Sequence, residues 1–256
     1  MTLPQSINRA LVVALAVLLA VLLAGAIATL VYCSGHQGVG SLKTPGIAEP
    51  LREDATQTPG NSADPGAIAL PAGDSALLPT PFIDQLAADA PMGCEAAALL
   101  QALHTKGYAT QYNLALFLLQ MPLAEDDNPH HGFSFTPYEE LGEDCYQGIF
   151  AAPLAAWGTQ YGDVADISGA SLDELKQELL SGNPVVVFVT QDFATPEWQD
   201  WWFGPAVNNA HVMTLAGFEN STGQVYLVDP HRGPRWVDQN VFLASYLATA
   251  GAVVVR

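Results

Sequence analysis

The chain has 256 residues, with 8 basic side chains against 26 acidic ones and a formal net charge of −18. Phosphate backbones are bound by clustered Lys and Arg, so this balance excludes a nucleic-acid partner. Cys33, Cys94 and Cys145 are too few for a small disulfide scaffold and have no zinc-ligand spacing. No metal or other cofactor is expected, and His130-His131, close behind Asp126-Asp127, reads as a solvated loop.

Residues 1–9 carry Arg9 and read as a cytoplasmic N-terminus. Residues 10–32 are almost wholly Ala, Val, Leu and Ile, with no charge from Ala10 to Val31. At ~1.5 Å per residue such a run crosses a hydrocarbon core of ~30 Å. It exceeds the apolar region of an ordinary signal peptide, which favours an uncleaved transmembrane anchor over a cleaved, secreted form. The next positive charge is Lys43, so the positive-inside rule puts the remainder outside the cytoplasmic membrane.

Residues 33–80 are rich in Pro, Gly, Ala, Ser and Thr, with Pro45, Pro50, Pro59, Pro65, Pro71 and Pro79 breaking any periodicity. The expectation is a disordered linker, too poor in apolar surface to offset its ordering entropy. A folded domain is then expected over 81–256. Helices are predicted over Glu95–Lys106, capped by Gly107, over Tyr112–Met121, stopped by Pro122, and over Pro153–Tyr161. The Pro- and Gly-punctuated stretch from Leu123 to Gly148 reads as a long irregular loop. Ser171–Ser181 is amphipathic and opens with a capping box, Ser171 with Glu174. Val185–Thr190 (VVVFVT) is a buried strand; His211–Phe218 and Val225–Asp229 are strands of one hairpin. A helix over Val241–Ala250 and a strand over Ala252–Val255 close the chain. Helices first and an antiparallel sheet after them indicate an α+β fold.

Three positions invite chemistry. Cys94 opens a helix behind Gly93, where the macrodipole and unpaired amides favour a thiolate. Counted outward from a turn centred near Asn220, His211 and Asp229 come out nearly opposite each other. A carboxylate there can accept the Nδ1–H of the imidazole and leave Nε2 to take a proton from a thiol. Gln85, nine residues before Cys94, offers an amide that can donate to a developing oxyanion together with the Cys94 N–H.

Taken together, Ile83-Asp84-Gln85 and Pro91-Met92-Gly93-Cys94-Glu95 resemble the nucleophile motif of the bacteriocin-processing, double-glycine peptidases and their stand-alone bacterial relatives. Gly148 to Pro153, Gly182 to Val187, Ala210-His211-Val212 with Leu215 to Phe218, and Val228-Asp229-Pro230 with Gly233 resemble later motifs of that group, in order. The resemblance implies a papain-like cysteine peptidase fold with Cys94 as nucleophile, His211 as general base, Asp229 as orienting carboxylate and Gln85 as oxyanion donor. It implies a peptide or protein substrate and no cofactor. The sequence departs from the transporter-fused members in showing no transporter segment and no P-loop, so cleavage of double-glycine leaders is not the expectation. The expected function is a membrane-tethered extracytoplasmic thiol hydrolase. The rival readings are a non-catalytic binding domain on the same fold and a cell-wall peptide hydrolase or transpeptidase.

Overall fold

The computed structural model describes residues 73–256; the predicted anchor at 10–32 and most of the linker lie outside the described residues. Among the described residues no helix is long and apolar enough to cross a membrane. In chain order the elements are β1 (Ser75–Leu77), α1 (Cys94–Thr105), α2 (Leu114–Leu118), α3 (Ala151–Gly158), β2 (Val164–Asp166), α4 (Leu172–Leu180), β3 (Val185–Thr190), β4 (Trp198–Trp201), β5 (Gly204–Val207), β6 (Ala210–Glu219), β7 (Gln224–Asp229), β8 (Gly233–Asp238), α5 (Gln239–Thr249) and β9 (Ala252–Val255).

The fold is α+β, built on an antiparallel sheet in the order β2-β9-β3-β6-β7-β8, with β1 also paired to β6. Helices cover both faces. Val186 and Phe188 of β3 and Val253 and Val255 of β9 pack with α1, α2 and α3. The alternate residues Val185, Val187, Val189, Ala252 and Val254 pack with α4 and α5. This two-sided burial is why β3 reads as an unbroken apolar run, since neither set of alternate side chains faces water.

The local signals act where they were expected. The capping box forms at α4, with Ser171 accepting from the Glu174 amide and Glu174 accepting from the Ser171 amide. Gly107 follows α1 at φ +80°, the left-handed position that relieves a helix C-terminus. The stretch between α2 and α3 is irregular, with Leu123 and Phe133 forming an isolated bridge. Helix α2 is shorter than its pattern, because Asn113 caps it by accepting from the Leu116 amide and so fixes a later start.

Two expectations are corrected. The folded unit begins at β1, inside the stretch expected to be linker, and not at Pro81: Ser75, Ala76 and Leu77 pair with Glu219, Phe218 and Gly217. Backbone pairing holds a sequence there that carries little apolar pattern of its own. Strands β2, β4, β5 and β8 add to those expected; they are short, and β8 opens Gly233-Pro234, which looks like a turn.

The register of the β6–β7 hairpin differs from the simple count as well. Its turn lies between Glu219 and Gln224, and the pairing shifts between Leu215 and Gly217, leaving Ala216 as an extra residue on β6. On the turn side of this bulge Phe218 faces the α4/α5 core, and beyond it Leu215 and Met213 face the same core, so the side-chain parity switches. The amide of Leu78, just after β1, donates to the carbonyl of Ala216 at 2.8 Å. β1 therefore satisfies the group that the bulge would orphan.

Candidate active site

Cys94 is the first residue of α1. The chain reaches it through a tight turn: Gly93 donates to the Ala90 carbonyl at 3.0 Å, and a Cβ at Gly93 would sit 3.0 Å from the Ala90 methyl and 3.2 Å from its carbonyl. Glycine permits that approach. The preceding turn is tied to the sheet because Gln85 donates its backbone N–H to Pro230 at 3.0 Å, directly after Asp229. The turn before Cys94 and the strand carrying Asp229 are thus fixed to each other.

His211 and Asp229 form a buried pair. Nε2 of His211 lies 2.8 Å from Oδ1 of Asp229, and both side chains are almost wholly excluded from solvent. The ring is reversed from the expected arrangement: Nε2 meets the carboxylate, which leaves Nδ1 as the nitrogen available to a thiol. The count that sets the two residues nearly opposite holds to within two positions. Continuing the pairing of Thr214 with Val228 by one step sets Asp229 across from Met213, with His211 two residues further along β6 on the same face. The same Oδ1 accepts from the His231 amide at 2.9 Å, and Oδ2 lies 3.0 Å from Nη2 of Arg235 on β8. Burial works to raise the Asp229 carboxyl, but the hydrogen bond and charge of His211, the His231 amide and Arg235 outweigh it and hold the group below its ordinary range.

Gln85 is buried, and its amide nitrogen donates to the Pro91 carbonyl at 2.6 Å. That fixes the side chain beside the Cys94 turn with a second N–H remaining on the amide.

Cys94, Gln85, His211, Val212 and His231 line one cleft of about 410 Å³. Its other wall comes from the irregular loop, through Glu140, Glu143, Cys145, Tyr146 and Gln147, which gives that long Pro- and Gly-punctuated stretch a place in the same cleft as Cys94. Ser134 and Gln147 hold this wall. Ser134 donates to the Tyr146 carbonyl at 2.6 Å, and the Gln147 amide donates to the carbonyls of Thr136 and Glu139. Tyr146 and Phe188 also line a neighbouring, more apolar cavity of about 320 Å³ under the β4–β5 hairpin.

The thiol departs from expectation. Sγ of Cys94 donates to Oε2 of Glu95 at 3.2 Å. Burial pushes the thiol well up, the charge and hydrogen bond of Glu95 push it further, and backbone contacts with Val212 and Glu95 only partly oppose them. Burial first, and the Glu95 carboxylate after it, thus favour the neutral thiol over the thiolate expected at a helix start. Glu95 and Arg235 are the site residues that sequence reasoning missed. An acidic residue in a first turn normally faces water, and nothing local marks Glu95 as turned inward. Arg235 sits on a strand that the sequence did not reveal.

The antiparallel α+β fold thus sets a cysteine at the start of its first long helix and a buried His–Asp pair on its sheet. Residues 77–254 match the Peptidase_C39 like family, and the chain belongs to that family. It is 28% identical over 151 residues to the uncharacterized protein YvpB of Bacillus subtilis (strain 168), a match covering 54% of this chain and 58% of YvpB. Among solved structures, a putative C39-like peptidase from Bacillus anthracis superposes with a TM-score of 0.63 at 23% identity, over 72% of this chain and 98% of that one. A double glycine motif protease from an AMS/PCAT transporter, solved with its leader peptide, aligns over 70% of this chain and 92% of its own at a TM-score of 0.41 and 17% identity.

Proposed function

We propose that this protein is a cysteine peptidase that cleaves peptide bonds by acyl transfer through Cys94. The observation that carries the reading is the buried His211–Asp229 pair opening onto the same cleft as a cysteine at a helix start. Nδ1 of His211 takes the thiol proton as Sγ attacks the scissile carbonyl carbon. Asp229 accepts from Nε2–H throughout, which fixes the tautomer and stabilises the imidazolium that forms. The Cys94 N–H and the Gln85 amide donate to the carbonyl oxygen as it becomes an oxyanion. Collapse of the tetrahedral intermediate breaks the C–N bond; the imidazolium returns its proton to the leaving amine, and a thioester remains on Cys94. Water, deprotonated by His211, then releases the acid and restores the thiol.

Residues 10–32 anchor the protein in the cytoplasmic membrane, with the peptidase domain outside, in the same proposal. The support is the uncharged apolar run and the positions of Arg9 and Lys43.

The test is the full chain, purified in detergent, assayed with a peptide library and a thiol-directed probe alongside Cys94→Ala. Turnover with an acyl-enzyme mass on Cys94 supports the reading. Absence of turnover with a folded, probe-reactive protein favours a binding domain, and release of cell-wall peptides in place of library products assigns the rival substrate. Resistance to alkaline extraction from membranes, with the domain digested in intact spheroplasts, tests the tether.

A further inference from the structure

The carboxylate of Glu95 takes part in no step described above, yet it touches the nucleophile. Its side chain is 6% exposed. Oε1 accepts from the Ile149 amide at 3.2 Å, and Oε2 accepts from the Cys94 thiol at 3.2 Å. The seat is shaped for it: a Cβ at Gly148 would come within 2.8 Å of Oε1. The loop that forms the far wall of the cleft thus ends on the same carboxylate that holds the nucleophile.

We propose that Glu95 is a positioning residue that keeps Cys94 as a hydrogen-bonded thiol in the free enzyme, so that the nucleophile reaches His211 only when this hydrogen bond is given up. An ionised carboxylate beside sulfur favours S–H and opposes S⁻, because two negative charges would share one dry site. Once Glu95 is protonated the relation reverses, and its O–H can donate to a thiolate. The titratable groups acting on Glu95 are Cys94 on its own helix and His211 on β6; Tyr146 on the loop feels both Glu95 and Cys94. Glu140, Glu143 and His231 line the same cleft. Burial raises the Glu95 carboxyl above its ordinary range, while its own amide, the thiol, the Ile149 amide and His211 work against that rise.

The proposal takes Cys94 as the nucleophile from the reading above, but its test reads the thiol directly and stands whether or not a peptide is cleaved. The full chain and Glu95→Gln are alkylated with iodoacetamide across the pH range, and modification of Cys94 is followed by mass spectrometry. Gln keeps an acceptor for the Ile149 amide and removes the charge. The midpoint for Glu95→Gln should move to lower pH, and alkylation near neutrality should quicken about tenfold, the gain in thiolate fraction when that midpoint falls by about 1 on the pH scale. If peptide turnover is found, the rising limb of kcat/KM should move to lower pH with KM unchanged. Superimposable alkylation profiles for the two folded proteins overturn the proposal. Should Glu95→Gln fail to fold, the Glu95 carboxyl is titrated by ¹³C NMR in the parent and in Cys94→Ala. Loss of the thiol's hydrogen bond should raise that titration, and an unmoved curve overturns the proposal equally.

Discussion

His211 and Asp229 stand two residues out of register across the β6–β7 hairpin and still share one face of the sheet, because Ala216 is an extra residue between them and the turn. Without the bulge, the register of Phe218 with Val225 would continue to set Asp229 across from Thr214, three residues from His211 and on the other face. A one-residue irregularity therefore decides whether imidazole and carboxylate can meet.

Deletion of Ala216 removes the irregularity but keeps Leu215 across from Leu227 and Thr214 across from Val228, so His211 and Asp229 should still share one face and turnover should survive. Inserting one residue between Met213 and Thr214 turns His211 to the opposite face and should abolish turnover. Turnover assays with far-UV circular dichroism check both; a folded insertion protein with parental turnover would refute the role given to the register.

Truncation provides a second test. A chain of residues 73–256 keeps β1 and the Leu78 amide that satisfies the Ala216 carbonyl, and a chain of residues 81–256 loses both. The longer form should melt cooperatively and label at Cys94; the shorter should be markedly less stable and label heterogeneously. Gly217→Ala strikes the same junction, since its Cβ would meet the Ala76 carbonyl at 2.6 Å. It should cost about 1–3 kcal/mol in chemical denaturation, the usual range for overpacking.

Asp229→Asn should weaken turnover less than Cys94→Ala, which removes the atom that forms the thioester. The amide oxygen can still accept from Nε2–H but no longer stabilises the imidazolium. The same carboxyl makes a pH-dependent contribution to folding. Its folded value lies below the ordinary 3.8, so its stabilisation is fully present above that value and is lost as pH falls through the folded one. Urea midpoints between about pH 6 and about pH 3 should fall more steeply for the parent than for Asp229→Asn, since only the parent carries the group that must be protonated.

Arg235→Met should act through Asp229. It removes the cation 3.0 Å from Oδ2 while keeping an apolar stem over Phe193, whose ring the guanidinium carbon approaches to 5.5 Å. The acid limb of stability should shift to higher pH and kcat should fall with KM little changed; a change confined to KM would place Arg235 in substrate binding.

Gln85→Ala should lower kcat by about 10²–10³, the loss typical of one oxyanion donor. Gln85→Glu, which offers an acceptor where a donor is needed, should be worse still. Equal, mild effects of the two changes would assign the side chain a structural task through Pro91 alone.

What the sequence disclosed and what it withheld divide along physical lines. Val185–Thr190, the Ser171–Glu174 box and the Cys94 helix were legible because apolar period and capping chemistry are local. The candidate residues Cys94, His211, Asp229 and Gln85 were legible as types in a suggestive order; Cys94, His211 and Gln85 line one cleft, and Asp229 is hydrogen-bonded to His211. The ring nitrogen facing Asp229, the inward turn of Glu95 and the ion pair of Arg235 were not, because each depends on how two distant segments are registered. β1 escaped for the same reason: three residues with exposed, intermediate and exposed side chains announce nothing until β6 supplies their partners.

The attachment of β1 to β6 has a mechanical side. The chain preceding Ser75 enters the domain through a three-residue ladder on the strand that carries His211, flanked by the Asn220 amide on the Asp74 carbonyl and the Leu78 amide on the bulge. A pull along the N-terminal segment would load this seam before any helix or the remainder of the sheet. Because the ladder is so short, it would part at low force, and the first thing to go out of alignment would be His211 and not Cys94. Tension on the chain would then shift His211 relative to Cys94 while leaving the rest of the domain intact.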